Sequence, residues 1–185
     1  MGYFNDLWHR LGYRYFYKRY RGIWGNPDKF AYRRGIQPDK ILVCLPPLNG
    51  PIQEAVRAIT WLPNFFPRAE IRIVHYDEVA GSIPIQFRSW GVLEKHHFNT
   101  FGLPKRSFLE EIRSWGADLA IDLSDPANEV TDLICASAGC KWHAALTGNA
   151  NHGFASTGNI LISPMPNTSR QERYGVLLRY LAPDV

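Results

Sequence analysis

Apolar and polar positions follow two rhythms along this chain. Lys40–Leu45 is a short apolar run closed by Pro46-Pro47, and Glu70–His75 (Glu-Ile-Arg-Ile-Val-His) alternates every second residue; both predict strands. Between them Ile52, Ala55, Val56, Ile59 and Leu62 recur at helical spacing, predicting a helix over 52–62 that stops near Pro63. Residues 3–21 predict an earlier helix, with Phe4, Leu7, Trp8, Leu11 and Tyr15 at helical spacing and Arg10, Arg14, Lys18 and Arg21 on an adjoining stripe. Gly22, Gly25, Asn26 and Pro27 interrupt that pattern. The expected organisation is therefore an arm over 1–24, a linker over 25–39 and a domain over 40–185.

Tyr76 to Phe101 reads as irregular apart from one strand near 94–99. Pro104 is expected to open a helix reaching about Trp115, as proline suits a first turn. Asp118–Leu123 predicts a strand, and a helix from Pro126 to about Ser137 is expected to be capped by Asp125. Lys141–Leu146 and Asn159–Ile162 predict two more strands. Ser169-Arg170-Gln171-Glu172 has capping-box spacing and opens a last helix, with Val176, Leu177, Tyr180 and Leu181 expected inward. Strands alternating with helices predict an α/β fold: one Rossmann-like, doubly wound, mostly parallel sheet covered on both faces.

Composition narrows the classes. The 185 residues are 45% hydrophobic, enough to bury a core unaided. No apolar run is long enough to span a membrane, and the charged, aromatic start does not read as a secretory signal. Cys44, Cys135 and Cys140 form neither a disulfide framework nor a zinc-type CxxC pair, so a reducing, cytoplasmic setting is expected. Charge is unevenly placed. Residues 1–34 hold eight Lys or Arg against two Asp, and 11 of the chain's 25 aromatics, whereas the remainder is slightly acidic. Such an asymmetry concerns partners more than fold. A basic amphipathic helix rich in Trp and Tyr suits a membrane interface or an acidic protein surface. Phe4, Trp8, Arg10, Arg14, Tyr15, Lys18, Arg21 and Trp24 are the candidate partner-binding residues. Nucleic acid is not expected, because no recognised nucleic-acid module follows the arm.

Little else carries chemistry. The turn Leu45-Pro46-Pro47-Leu48-Asn49-Gly50-Pro51 follows the first strand, where doubly wound folds meet ligands. Its three prolines donate no N–H, so it reads as a stiff structural turn and a poor anion cradle. Asp118, Asp122, Asp125, Glu129 and Asp132 group around one strand and the following helix, where capping and the helix dipole account for them. His96 and His97, as strand neighbours, would point to opposite faces and not share an ion; His75 and His143 complete no metal set. Cys44 reads as a small core residue. No catalytic, cofactor or metal residues are expected, and no Walker loop, nucleophile elbow or Gly-x-Gly-x-x-Gly occurs.

Ile41 to Ile71 resembles the opening of the ADP-heptose:lipopolysaccharide heptosyltransferase-like glycosyltransferase family. The matching features are strand Ile41-Leu42-Val43, Gly50 at the loop glycine, Leu62 in the helix, and Phe66-Pro67-Arg68-Ala69-Glu70-Ile71 leading into the second strand. Ala117-Asp118-Leu119-Ala120-Ile121-Asp122-Leu123 and Ala138-Gly139-Cys140-Lys141-Trp142 resemble later family segments, so the likeness spans about residues 40–163. It implies half of a GT-B fold. Where the family's loop carries Asp, its presumed general base, this chain has Pro51, which cannot accept a proton. Arg57 and Ala145 also depart, from a family Pro and Gly. The second, nucleotide-sugar-binding domain of the family is expected to be absent.

The resemblance therefore implies a non-catalytic interaction or scaffold subunit. It would dock through its arm on a larger membrane-associated complex, peripheral at the inner face, with no cofactor and no tight small-molecule ligand. Such a half-enzyme is similar to accessory subunits at the cytoplasmic side of green sulfur bacterial photosynthetic reaction centres. The competing expectation is a glycosyltransferase half-domain working with a separate nucleotide-sugar-binding chain.

Overall fold

The computed structural model describes residues 37–87, 90–125, 128–146, 160–163 and 167–182. The arm, with all its candidate partner-binding residues, and most of the linker lie outside these. Six strands form one all-parallel sheet: β1 (Lys40–Cys44), β2 (Glu70–Tyr76), β3 (Val92–Leu93), β4 (Leu119–Asp122), β5 (Trp142–Leu146) and β6 (Ile160–Ile162). Their spatial order is β3-β2-β1-β4-β5-β6, the doubly wound order of a Rossmann-like fold. The described helices are α1 (Ile52–Phe65), α2 (Arg106–Trp115), α3 (Glu129–Ser137) and α4 (Arg170–Leu181).

Side-chain alternation assigns the two faces. Ile41, Val43, Ile73, Leu119 and Ile121 point toward α1 and α4, where they meet Ile59, Leu62, Tyr174, Leu177 and Leu181. Leu42, Cys44, Val74 and Ala120 point the other way, onto Phe108, Leu109 and Ile112 of α2 and Leu133 and Ile134 of α3. Buried on both sides, β1 and β4 are apolar throughout except Lys40 and Asp122, which stand at their ends. Gly91 (φ 73°) lets the chain close on the β2 edge, since a Cβ there would lie 2.9 Å from the Ile73 carbonyl oxygen.

Several local expectations are corrected. Pro63 does not stop α1, which runs to Phe65; Phe66 N–H still reaches the Leu62 carbonyl at 2.8 Å, so proline in the last turn removes only its own bond. The strand near 94–99 is instead the two-residue β3, followed by a 3₁₀ turn at Lys95–His97. On that turn the rings of His96 and His97 lie side by side, centroids 3.8 Å apart and tilted by 44°, rather than pointing to opposite faces. Helix α2 begins two residues after Pro104, which bridges Phe98 instead. On α4, Tyr174 and Leu178 are buried where Val176 and Tyr180 were expected, and the latter two are more than 40% exposed.

Candidate functional site

Strand order reverses between β1 and β4, so ligands of such sheets would meet the loops after those two strands. After β1 the chain closes on itself. Gly50 N–H donates to the Pro47 carbonyl at 2.8 Å, and Ile52 N–H to the Gly50 carbonyl at 2.9 Å. A Cβ on Gly50 would come within 2.8 Å of Pro46 Cβ and 3.1 Å of the Pro47 carbonyl oxygen, so the turn is too tight for another residue without movement. Asn49 is exposed, and Pro51 is the buried N-cap of α1, with no side-chain capping bond. Of the N–H groups nearest the helix start, proline lacks one and Ile52 has already used its own. No residue of this turn carries an acidic side chain, and two of the N–H positions at the helix start are closed to an anion.

The loop after β4 is held by buried polar contacts. Asp122, 1% exposed, accepts from Ser124 N–H at 2.9 Å and from the Thr131 hydroxyl at 3.0 Å. Burial, then the charge of Asp132, pushes the Asp122 carboxyl up to about 7 against the lowering effect of its hydrogen bonds. Burial holds His143 below the ordinary imidazole range, against the pull of Asp132, whose Oδ1 lies 3.9 Å from His143 Nε2. Burial raises the thiols of Cys44, Cys135 and Cys140, the last to about 12, so none is a ready thiolate nucleophile.

The expected cap of α3 is corrected as well. Asn128, rather than Asp125, caps the helix, its side chain accepting from Val130 N–H at 2.9 Å and Thr131 N–H at 3.3 Å. Asp125 instead accepts from Arg173 of α4 at 3.0 Å, with Arg170 Nε 4.0 Å away. One residue on, the buried Tyr174 hydroxyl donates to the Leu123 carbonyl at 2.7 Å. Helix α4 is thus stitched across the end of β4. Asp118 belongs to the opposite end of the sheet, where its Oδ2 accepts from the backbone N–H groups of Asp39 and Lys40. Sequence reasoning missed Thr131, Arg173 and Tyr174. Only Asn128, one residue before the helix in a type that favours N-caps, carried a local signal.

Two concave surfaces lie elsewhere among the described residues. A groove of about 510 Å³ runs between α1 and α4, walled by Trp61, Phe65 and Arg179 and floored by Gly175. A recess of about 280 Å³ lies beside the outer edge of β2, between Ile71, Ile73, Phe87 and Trp90. Neither borders Asn49–Pro51 or Asp122. Among the described residues no group of three or more His, Cys, Asp or Glu could hold a metal ion, and no helix is long and apolar enough to cross a membrane.

No family model and no curated protein sequence matches the chain. Among solved structures it is similar to E. coli ADP-heptose LPS heptosyltransferase II, with a TM-score of 0.56 and 17% identity. The match covers 75% of this chain and 40% of that one, so the chain spans about two fifths of that enzyme's length. At this identity the likeness is one of fold: a Rossmann-like α/β sheet similar to part of that enzyme.

Proposed function

We propose that this chain is a non-catalytic interaction subunit, a heptosyltransferase-like domain that docks through its basic aromatic arm on a larger membrane-associated complex. The observation that carries the reading is Pro51, a buried helix cap with no proton acceptor, in a turn closed around Gly50. The stitching of Asp125 and Leu123 to α4 supports it, because groups at the switch point are engaged with each other. The arm supplies the docking element, with Trp8 and Tyr15 as aromatic anchors beside the basic stripe Arg10, Arg14, Lys18 and Arg21. The resemblance set out above makes a photosynthetic reaction centre–antenna assembly, at the inner face of its membrane, the host to test first.

The fold likeness to heptosyltransferase II leaves a second reading, a transferase half working with a separate nucleotide-sugar-binding chain. Calorimetry with ADP-sugars separates the two. The protein alone, and with any chain it co-purifies with, is expected to bind more weakly than about 1 mM, a free energy of about −4 kcal/mol. Tight binding by such a pair, with sugar transfer, would establish the second reading. Pull-down from native membranes with mass spectrometry identifies the partner in either case.

A further inference from the structure

The Thr131 hydroxyl has one hydrogen and three acceptors within reach: Asp122 Oδ2 at 3.0 Å, Ser124 Oγ at 2.8 Å and the Asn128 carbonyl at 3.1 Å. The protonation state of Asp122 decides between them. An ionised Asp122 can only accept, so it takes the Thr131 hydrogen, and Ser124 donates to Thr131 in turn. A protonated Asp122 donates from Oδ2 to Thr131 Oγ1, whose second lone pair still accepts from Ser124 Oγ; the Thr131 hydrogen then goes to the Asn128 carbonyl. Asn128 is the N-cap of α3, and its carbonyl already receives Asp132 N–H at 3.0 Å. The proton on Asp122 therefore adds one bond to the start of the helix, and its loss to solvent removes that bond.

We propose that Asp122, Thr131 and Asn128 form a proton-operated switch that tightens the first turn of α3 when Asp122 is protonated and loosens it when the carboxylate is bare. The surrounding groups favour the protonated carboxyl. From α3, Asp132 faces Asp122 as a second buried carboxyl, with Cys135 beside it. From β1 comes Cys44, from β2 Tyr76, from β5 His143 toward Asp132, and from α4 Tyr174. Burial keeps both thiols and both phenols protonated and disfavours the imidazolium. The α4 arginines that approach, Arg170 and Arg173, face Asp125. Burial, then the charge of Asp132, pushes the Asp122 carboxyl up to about 7, above the ordinary carboxylate range. Its stabilising contribution is complete below that ordinary range and is lost as pH rises through 7.

The test is carried out on the full chain between pH 5 and 9. The Asp122 carboxyl carbon shift is followed by NMR, with amide exchange of Val130–Leu133 corrected for intrinsic rate. The carboxyl should titrate near 7, and protection of those amides should fall about five- to tenfold through the same midpoint, the worth of one hydrogen bond. Asp122→Asn, whose amide donates like the protonated acid, should hold the protected state at every pH. Thr131→Val should abolish the step, and Asp125→Asn should leave it intact. A carboxyl already ionised at pH 5, pH-independent protection, or a step that survives in Asp122→Asn would each overturn the switch. If Asp122→Asn fails to fold, the wild-type titration and Thr131→Val decide it.

Discussion

Ile121→Ala should cost about 2–5 kcal/mol of stability, the range for emptying a buried aliphatic site. Ile121 sits in β4 with strands on both sides, opposite Val43 of β1 and Ala144 of β5, and is completely buried. Its side chain belongs to the core shared by α1 and α4, where Leu62, Tyr174 and Leu177 are also buried. Interiors packed at crystal-like density relax only partly around such a loss. For a domain of this size the thermal midpoint should fall by roughly 4–20 °C. Ile85→Ala supplies the contrast: Ile85 is 82% exposed, and the change should stay within about 0.5 kcal/mol. Calorimetric melting of both variants checks this. A wild-type midpoint for Ile121→Ala would mean that β4 is not the centre of the sheet.

The same burial explains how much of the fold the sequence disclosed. Strands β1, β2, β4 and β5 are legible because central parallel strands need apolar residues on both faces, and runs such as Ile41–Leu45 have few other uses. Strand β3 was misplaced because only Val92 and Leu93 pair with β2, too few residues to show a period. On α4 the inward stripe was misjudged because the helix is apolar on more than one side. Leu177 and Leu181 are buried, whereas Val176 and the aromatic Tyr180, also candidates for an inward face, stand exposed.

The switch point was half legible. The turn Leu45–Pro51 discloses its stiffness through its prolines, and the structure adds its closure around Gly50. The contacts at the end of β4 were not readable. Asp125 meets Arg173 from 48 residues away and Leu123 meets Tyr174 from 51, and no local pattern encodes such pairs. Asp125 before Pro126 had the form of a cap, but Asn128 stands at the actual helix start, and the acid was available for α4.

Removing the arm should leave the fold intact and abolish membrane association. The described helices α1 to α4 cover both faces of the sheet. The sequence pattern, broken at Gly22, Gly25 and Pro27, predicts that the arm is separate from the domain. Within the arm, reversing the charges of Arg10, Arg14, Lys18 and Arg21 should mainly slow association and change its salt dependence. Trp8→Ala should mainly speed dissociation, as loss of a buried aromatic anchor does. The most direct measurement is fractionation of native membranes carrying either the full chain or one beginning at Pro27, with circular dichroism confirming that the shorter chain folds. The docking account predicts matching dichroism spectra, the full chain sedimenting with membranes and the shorter chain left in the supernatant. A folded shorter chain that sediments at the level of the full one would contradict it.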